Sequence, residues 1–166
     1  MGENSMTEKT KRPEDEALMK EAIRLSREAV LHGNEPFGAV LAKNGQIVFT
    51  NENQIYTEKD PTEHAELGLI RRFVSKTGIT DLRDYTLYSS CEPCFMCSGS
   101  LVWMHLGRLV YGASNEDLEE TLGKKGSPCS ALVFANSSWA PKVLPGVCRD
   151  EALAVLSDYF SDHEKG

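Results

Sequence analysis

The sequence lacks an apolar run that approaches the roughly 20 residues needed to cross a bilayer, and residues 1–16 lack the apolar stretch of a signal peptide. It also lacks internal repeats and low-complexity linkers. Basic residues are few: 18 Lys and Arg against 25 Asp and Glu give a net charge of −7. A broad basic surface for nucleic acid is therefore not expected, and no membrane partner is predicted.

The chain has too few cysteines, and too uneven a distribution of them, for a disulfide scaffold. Their number is five, which is odd, and Cys91, Cys94 and Cys97 lie within seven residues. This crowding is typical of metal or redox chemistry in a reducing compartment, so we expect a cytoplasmic protein.

The length and composition indicate one domain. With 166 residues, of which 40% are apolar, the chain can bury a single sizeable core. Residues 1–13 are polar and show no periodicity, and we predict that they form a disordered tail. The remaining residues, 14–162, are predicted to form one domain.

Hydrophobic periodicity predicts the elements. Apolar residues from Leu18 to Ala29 form one stripe of a helix that opens at Pro13, and Asn44-Gly45 predicts a hairpin between strands 37–42 and 46–50. The later predicted elements are a helix from residues 61–63 to Gly78, a strand at 86–88, a helix from the loop 91–97 to about Met104, a strand at 108–111, a short helix and a loop within 113–130, strands at 132–135 and 143–147 (the second weakened by Pro145), and a helix at 149–160. This order predicts a three-layer α/β/α fold, a mixed sheet with helices on both faces.

Two short motifs carry the chemistry. His64-Ala65-Glu66 and Pro93-Cys94-Phe95-Met96-Cys97 each lie at the start of a predicted helix. Imidazole and thiolate are the ligands that zinc prefers, and three protein ligands leave a position open for water. Residues i and i+2 of a helix do not share a face, so Glu66 can lie over that open position and move protons.

Other interpretations of the cysteines stay open. A structural zinc site would need Cys129 and Cys148, which are far apart and form no second C-x-x-C pair. A thioredoxin-like dithiol would need a different order of elements. The two motifs together, in this order, form the H-x-E…P-C-x-x-C signature of zinc deaminases.

Over residues 15–160 the sequence resembles the cytidine/deoxycytidylate deaminase-like superfamily. The similar branch contains guanine deaminases, yeast-type cytosine deaminases and tRNA adenosine deaminases. The resemblance rests on residues 36–40 (PFGAV), Asn53, residues 60–66 (DPTEHAE) and residues 90–97 (SCEPCFMC). It implies a five-stranded mixed sheet, one zinc ion per chain and a homodimer.

The same resemblance implies the site residues and the reaction. Water attacks an amino-bearing ring carbon of a nucleobase, and ammonia leaves. The residues assigned by resemblance are His64, Cys94 and Cys97 for zinc, Glu66 for proton transfer, Asn53 for the base edge, and the backbone around Ala65 and Glu92 for the amino-bearing side. Phe37 is expected to stack on the base, and Cys91 is expected to be a packed core thiol.

The substrate signals divide. The residues around Phe37 and Cys91 are similar to free-purine deaminases, whereas residues 156–160 are similar to tRNA-editing adenosine deaminases. The acidic stretch 114–120 would repel a phosphate backbone. We therefore expect a purine nucleobase or nucleoside as substrate, with tRNA adenosine and then cytosine as alternatives. The presence of Glu66 argues against a non-catalytic zinc-stabilised module, because a structural zinc site does not need this glutamate.

Three aromatic residues of the C-terminal region are candidates to close the site: Trp139, Tyr159 and Phe160.

Overall fold

The computed structural model describes residues 10–163. Residues 1–9 of the predicted tail lie outside the described residues. In chain order the elements are α1 (Asp15–Leu31), β1 (Gly38–Lys43), β2 (Gln46–Glu52), α2 (Ala65–Thr77), β3 (Tyr85–Cys91), α3 (Phe95–Trp103), β4 (Arg108–Ala113), α4 (Asn115–Thr121), α5 (Ser130–Ala135), β5 (Lys142–Leu144) and α6 (Arg149–His163).

The strands form one five-stranded mixed sheet in the order β2-β1-β3-β4-β5. β1 pairs antiparallel with both β2 and β3, whereas β3, β4 and β5 run parallel. The parallel pairs require crossover connections, and these place helices on the faces of the sheet. The carboxyl end of β3 therefore lies beside the start of α3.

Helices cover both faces, as the sequence predicts for a three-layer fold. Along the central strands, alternate residues enter two separate cores. Val40, Tyr88 and Val110 pack on one side with residues of α1 and α6. Leu41 and Leu87 pack on the other side with residues of α2 and α3. Helices thus cover both sides of β3, and all seven of its residues are buried.

The hairpin and the contact between α1 and β1 depend on two glycines. Asn44 and Gly45 both have positive φ, 52° and 74°, which is the geometry of a tight hairpin turn. At Gly38 a Cβ atom would lie 2.2 Å from the carbonyl oxygen of Ala22 in α1. Only glycine allows this approach, so α1 packs directly on the strand that leads to the site.

Two predicted strands need correction. Residues 132–135 belong to helix α5 and not to a strand. The Glu92 carboxylate accepts hydrogen bonds from the backbone N–H and hydroxyl of Ser130, the first residue of α5, and a carboxylate at this position stabilises a helix start. The strand predicted at 143–147 is only Lys142–Leu144, because Pro145 cannot donate to the ladder.

The predicted start of α2 is also wrong. The helix begins at Ala65, with His64 as its N-cap in extended conformation. Residues 61–64 form a turn in which Asp60 Oδ1 accepts from the backbone N–H and hydroxyl of Thr62, at 2.8 and 2.7 Å. This later start places His64 at the helix end rather than on a helical face.

A buried ion pair connects α1 to the sheet. Asp15 is fully buried and Arg108 is 3% exposed. The Arg108 guanidinium donates to both carboxylate oxygens at 2.8 and 2.6 Å, and the Tyr88 hydroxyl donates to Oδ1 at 2.6 Å. The three side chains therefore satisfy one another inside the apolar layer between α1 and the sheet.

Within residues 10–163, none of the helices combines the length and apolar character required to span a membrane.

Candidate active site

The two sequence motifs meet at the starts of two helices. His64 is the N-cap of α2 and Cys94 is the N-cap of α3, with Cys97 one turn further along α3. The His64 Nδ1 atom lies 3.5 Å from Cys94 Sγ and 3.6 Å from Cys97 Sγ. All three potential ligand atoms lie within 4.8 Å of one another. One imidazole and two thiols thus converge as a zinc site requires.

The electrostatics of this group favour a metal cation. A hydrogen bond from the Cys97 thiol, and a second from His64, lower the pKa of Cys94 to about 4. The hydrogen bond between His64 and Cys94 raises the pKa of His64. The hydrogen bond between the two thiols raises the pKa of Cys97. The proton of the Cys97 thiol thus favours the thiolate form of Cys94 beside it. A soft divalent cation would replace that proton and the contacts it makes.

Glu66 lies in the first turn of α2, beside the His64–Cys94–Cys97 group. Its side chain is buried, and burial raises the pKa of the carboxyl to about 7, with a further contribution from the Cys94 thiolate. A hydrogen bond with Ser89 opposes this shift. A carboxyl group with a pKa near neutrality can both accept and return a proton.

These groups face a small cavity of about 230 Å³. Drug-sized ligands occupy pockets of roughly 300–1,000 Å³, so this cavity suits a smaller ring compound. Its lining residues come from five separate parts of the chain; they are Glu35, Phe37, His64, Glu66, Cys91, Glu92, Cys94, Asn115, Leu118 and Phe160.

Of the four residues predicted to bind substrate, two line the cavity. Phe37 lines it, and so does Glu92, which lies two residues before the metal-binding candidate Cys94 in the sequence. The Glu92 side chain also has a supporting contact, because its Oε1 accepts from the backbone N–H of Asn115 at 2.9 Å. Glu92 therefore fixes the starts of both α4 and α5 around the cavity.

The other two residues, Asn53 and Ala65, are not among the residues that line the cavity. Asn53 is 1% exposed, and its Oδ1 accepts from the backbone N–H groups of Glu35 and Ile55 at 3.4 and 3.1 Å. Ala65 is fully buried, and its carbonyl oxygen accepts from Asn51 Nδ2 at 3.0 Å. The two backbone N–H groups thus fix the orientation of the Asn53 side-chain oxygen.

Of the three aromatic residues considered as lids, only Phe160 lines the cavity. Its ring packs edge-to-face against Tyr159, with centroids 5.0 Å apart, while Tyr159 itself lines a separate surface groove. Trp139 donates its indole N–H to the carbonyl of Leu106 at 2.8 Å and lies next to His105. Trp139 therefore has a structural position away from the site.

All five cysteines are free thiols. Cys91 is buried and lines the cavity, and burial raises its pKa well above the ordinary value. Cys129 is buried, with its thiol 3.6 Å from the Pro93 carbonyl oxygen. Neither residue, nor Cys148, belongs to the metal-ligand group that the described residues form.

Sequence reasoning missed four residues of the site. Glu35 precedes the PFGAV motif, and Asn115 and Leu118 lie in the stretch that we interpreted as an acidic patch. Ser89 lowers the pKa of Glu66, and its hydroxyl donates to the carbonyl oxygen of Cys91 at 2.6 Å. Only the position of Ser89, at the end of a buried strand before a metal motif, offered a signal in the sequence.

Comparison with known proteins agrees with this geometry. The sequence model of the cytidine and deoxycytidylate deaminase zinc-binding region matches residues 12–113. The guanine deaminase of Bacillus subtilis is 41% identical over 106 residues, which cover 63% of this chain and 68% of that protein. The tRNA-specific adenosine deaminase of the same organism is 33% identical over 152 residues, 92% of each chain.

A solved structure in complex with 2,6-diaminopurine has the same fold. It superposes with a TM-score of 0.76 at 25% identity, covering 95% of this chain and 86% of that one. The region that the sequence model matches includes both metal motifs, and both Bacillus subtilis relatives are named as deaminases. The chain therefore belongs to the cytidine and deoxycytidylate deaminase family of zinc-type hydrolytic deaminases.

Proposed function

We propose that this deaminase acts on a purine nucleobase or nucleoside, with water replacing the amino group of the ring and ammonia leaving. The observation that carries the proposal is the meeting of His64, Cys94, Cys97 and Glu66 at one small cavity. The similarity to a guanine deaminase and to a structure holding 2,6-diaminopurine supports a purine.

The donor set fits zinc. His64, Cys94 and Cys97 would hold the ion, because two thiolates and an imidazole within 4.8 Å match its preferred ligands. When bound, zinc acidifies water and so makes it a nucleophile at neutral pH. Glu66 takes the proton of the water and delivers it to the leaving amino group.

The cavity walls orient the ring. Phe37 and Phe160 lie on the lining and offer apolar faces for a base. Asn53 binds the edge of the base through its Nδ2 group. The backbone around Ala65 and Glu92 contacts the amino-bearing side of the ring. A ring held in this way presents one amino-bearing carbon to the metal group.

A second candidate function is deamination of adenosine in tRNA. The observation that favours it is the similarity to a tRNA-specific adenosine deaminase over 92% of this chain. Against it, none of the described residues that line the cavity is Lys or Arg. A cytosine-type base is the third candidate.

The test is ammonia release from a substrate panel by protein of known zinc content. The panel contains guanine, adenine, isoguanine, cytosine, their nucleosides, and an anticodon stem-loop with adenosine at the wobble position. We expect turnover of a purine base or nucleoside and an inert stem-loop. Turnover of the stem-loop alone would establish the tRNA function instead.

The metal assignment predicts different results for two neighbouring cysteines. Cys94→Ser should lose most bound zinc, because a hydroxyl is a poor substitute for a thiolate ligand. Cys91→Ser should keep zinc, because Cys91 does not belong to the ligand group. Zinc per chain, measured by atomic emission, checks both; loss of zinc from Cys91→Ser would mean that the ligands are misassigned.

We also propose a homodimer that forms through α3 and α5. Large apolar side chains are exposed on this surface, namely Phe95, Met96, Trp103 and Leu132, and Trp103 is 86% exposed. Such a patch is unusual on a monomer. Trp103→Glu should shift the protein from dimer to monomer in sedimentation, whereas Leu31→Glu, an exposed leucine of α1, should not. A monomeric unmodified protein would refute the dimer.

The free state of all five cysteines supports the proposed cytoplasmic location.

A further inference from the structure

The Glu92 carboxylate holds both ends of one segment of the cavity wall, residues 115–130. Its Oε1 accepts from the backbone N–H of Asn115, the first residue of α4, at 2.9 Å. Its Oε2 accepts from the backbone N–H of Ser130, the first residue of α5, at 2.9 Å, and also from the Ser130 hydroxyl. Asn115 Nδ2 in turn donates to the Ser127 carbonyl oxygen at 3.1 Å. The two ends of the segment thus meet at one side chain.

This segment is part of the cavity that takes the substrate. Asn115 and Leu118 of α4 line the cavity. Leu118 packs against the same apolar core as Phe37 and Phe160, the two phenylalanines of the lining. The position of α4 therefore decides how closely the apolar side of the cavity fits a ring.

Apolar packing contributes little to the position of α4. The helix has seven residues, and none of them is buried. A helix of this length is not stable by itself in water, so its position depends on polar contacts with neighbouring elements. Two such contacts are the ion pair of Asp117 with the half-exposed Arg149 of α6, at 2.6 Å, and the hydrogen bond to Glu92 at the helix start. A hydrogen bond to a carboxylate is roughly twice as strong as one between neutral groups.

We propose that Glu92 is a positioning residue, which holds α4 against the substrate ring and so sets the affinity for substrate without binding zinc or moving a proton. The inference rests on the proposed function, since it takes a ring in this cavity to be the substrate. If the wall is in place for only a fraction of the time, the apparent affinity falls by that fraction. In the bound state the wall is in place and the reacting groups are unchanged. Loss of a Glu92 contact should therefore raise KM and leave kcat nearly unchanged.

The first test is a pair of variants that differ in one hydrogen-bond donor. Asn115 is the first position of α4, and the preceding Ser114 is extended; both features suit proline at position 115. Asn115→Pro and Asn115→Ala both remove the amide side chain, but only Asn115→Pro removes the N–H that donates to Glu92. We expect KM of Asn115→Pro to exceed that of Asn115→Ala by about five- to tenfold, the size expected for one lost hydrogen bond to a carboxylate. The two kcat values should agree within about twofold.

The second test changes the carboxylate itself. Glu92→Gln keeps the size of the side chain, but its amide has one oxygen and can accept at only one of the two helix starts. KM should rise by about five- to tenfold. Glu120→Gln removes the same charge from an exposed position of α4 and should leave KM unchanged. The inhibition constant of the deaminated product, which reports binding without chemistry, should follow KM in all four variants.

KM is the deciding quantity, and it is measured with the purine that the unmodified enzyme turns over, together with zinc content and thermal midpoint. A merely structural role would lower the thermal midpoint or kcat of Asn115→Pro and Glu92→Gln, with KM equal to that of the controls. That result would refute the positioning role and leave the proposed function standing.

Turnover of the RNA stem-loop alone would refute the proposed function. The same variants are then compared on the stem-loop, and the same KM criterion decides the role of Glu92. If the unmodified zinc-loaded enzyme turns over no compound of the panel, both proposals are refuted.

Discussion

Replacing Glu66 by Gln is expected to lower kcat about a thousandfold, within the range of 10²–10⁴ that a positioned acid–base group contributes. The amide has nearly the same size but cannot take a proton from water. Zinc content should not change, because Glu66 is not part of the ligand group. Folding should not suffer, since burial disfavours the charged form of this side chain.

The measurement is ammonia release at saturating substrate, together with zinc per chain and the thermal midpoint. Glu58→Gln is the matched control, because Glu58 lies in an exposed loop and its change removes the same charge. KM should change much less than kcat, since Glu66 acts on the proton and not on the ring. A Glu66→Gln enzyme that keeps most of its activity would refute the proton-transfer role.

Replacing Arg108 by Met is expected to lower the free energy of unfolding by about 3–5 kcal/mol, the usual cost of removing one partner of a buried ion pair. Asp15 is fully buried, and among the described residues its carboxylate would keep the Tyr88 hydroxyl and the Arg12 backbone N–H as partners. Urea unfolding of the zinc-loaded protein measures the change.

Two further variants test the cause of this loss. Arg149→Met removes an arginine whose ion pair with Asp117 is exposed to solvent, and it should cost less than about 1 kcal/mol. The double variant Asp15→Asn with Arg108→Met should recover part of the stability, because no buried charge is left unpaired. If Arg108→Met lowers the free energy of unfolding no more than Arg149→Met does, the buried position of the Asp15–Arg108 pair does not cause the predicted loss.

The same ion pair predicts how stability depends on pH. Burial acts to raise the pKa of Asp15, but hydrogen bonds from Arg108 and Tyr88 outweigh it, so the pKa is lower in the folded protein. The pair therefore stabilises fully above the unfolded pKa of about 4. This contribution is lost as the pH falls through the folded pKa, and the difference between the unmodified protein and Arg108→Met should shrink there.

Local sequence was sufficient for the parts of the site that lie within a few residues of one another. His64 and Glu66, and likewise Cys94 and Cys97, are close in sequence, and each pair lies at the start of a helix, which sets its geometry. The hairpin at Asn44-Gly45 was predictable for the same reason, because the turn depends on two adjacent residues. The order of predicted helices and strands was sufficient for the three-layer architecture.

Only the tertiary structure decided which distant residues surround the metal motifs. Glu35, Leu118 and Phe160 come from three different connections or helices and meet in one cavity, and Asp15 pairs with Arg108 across 93 positions. Helix α5 shows the same effect, because the distant Glu92 carboxylate supports its start. Such contacts depend on how the elements pack, and the local periodicity and spacing of a sequence carry no record of that packing.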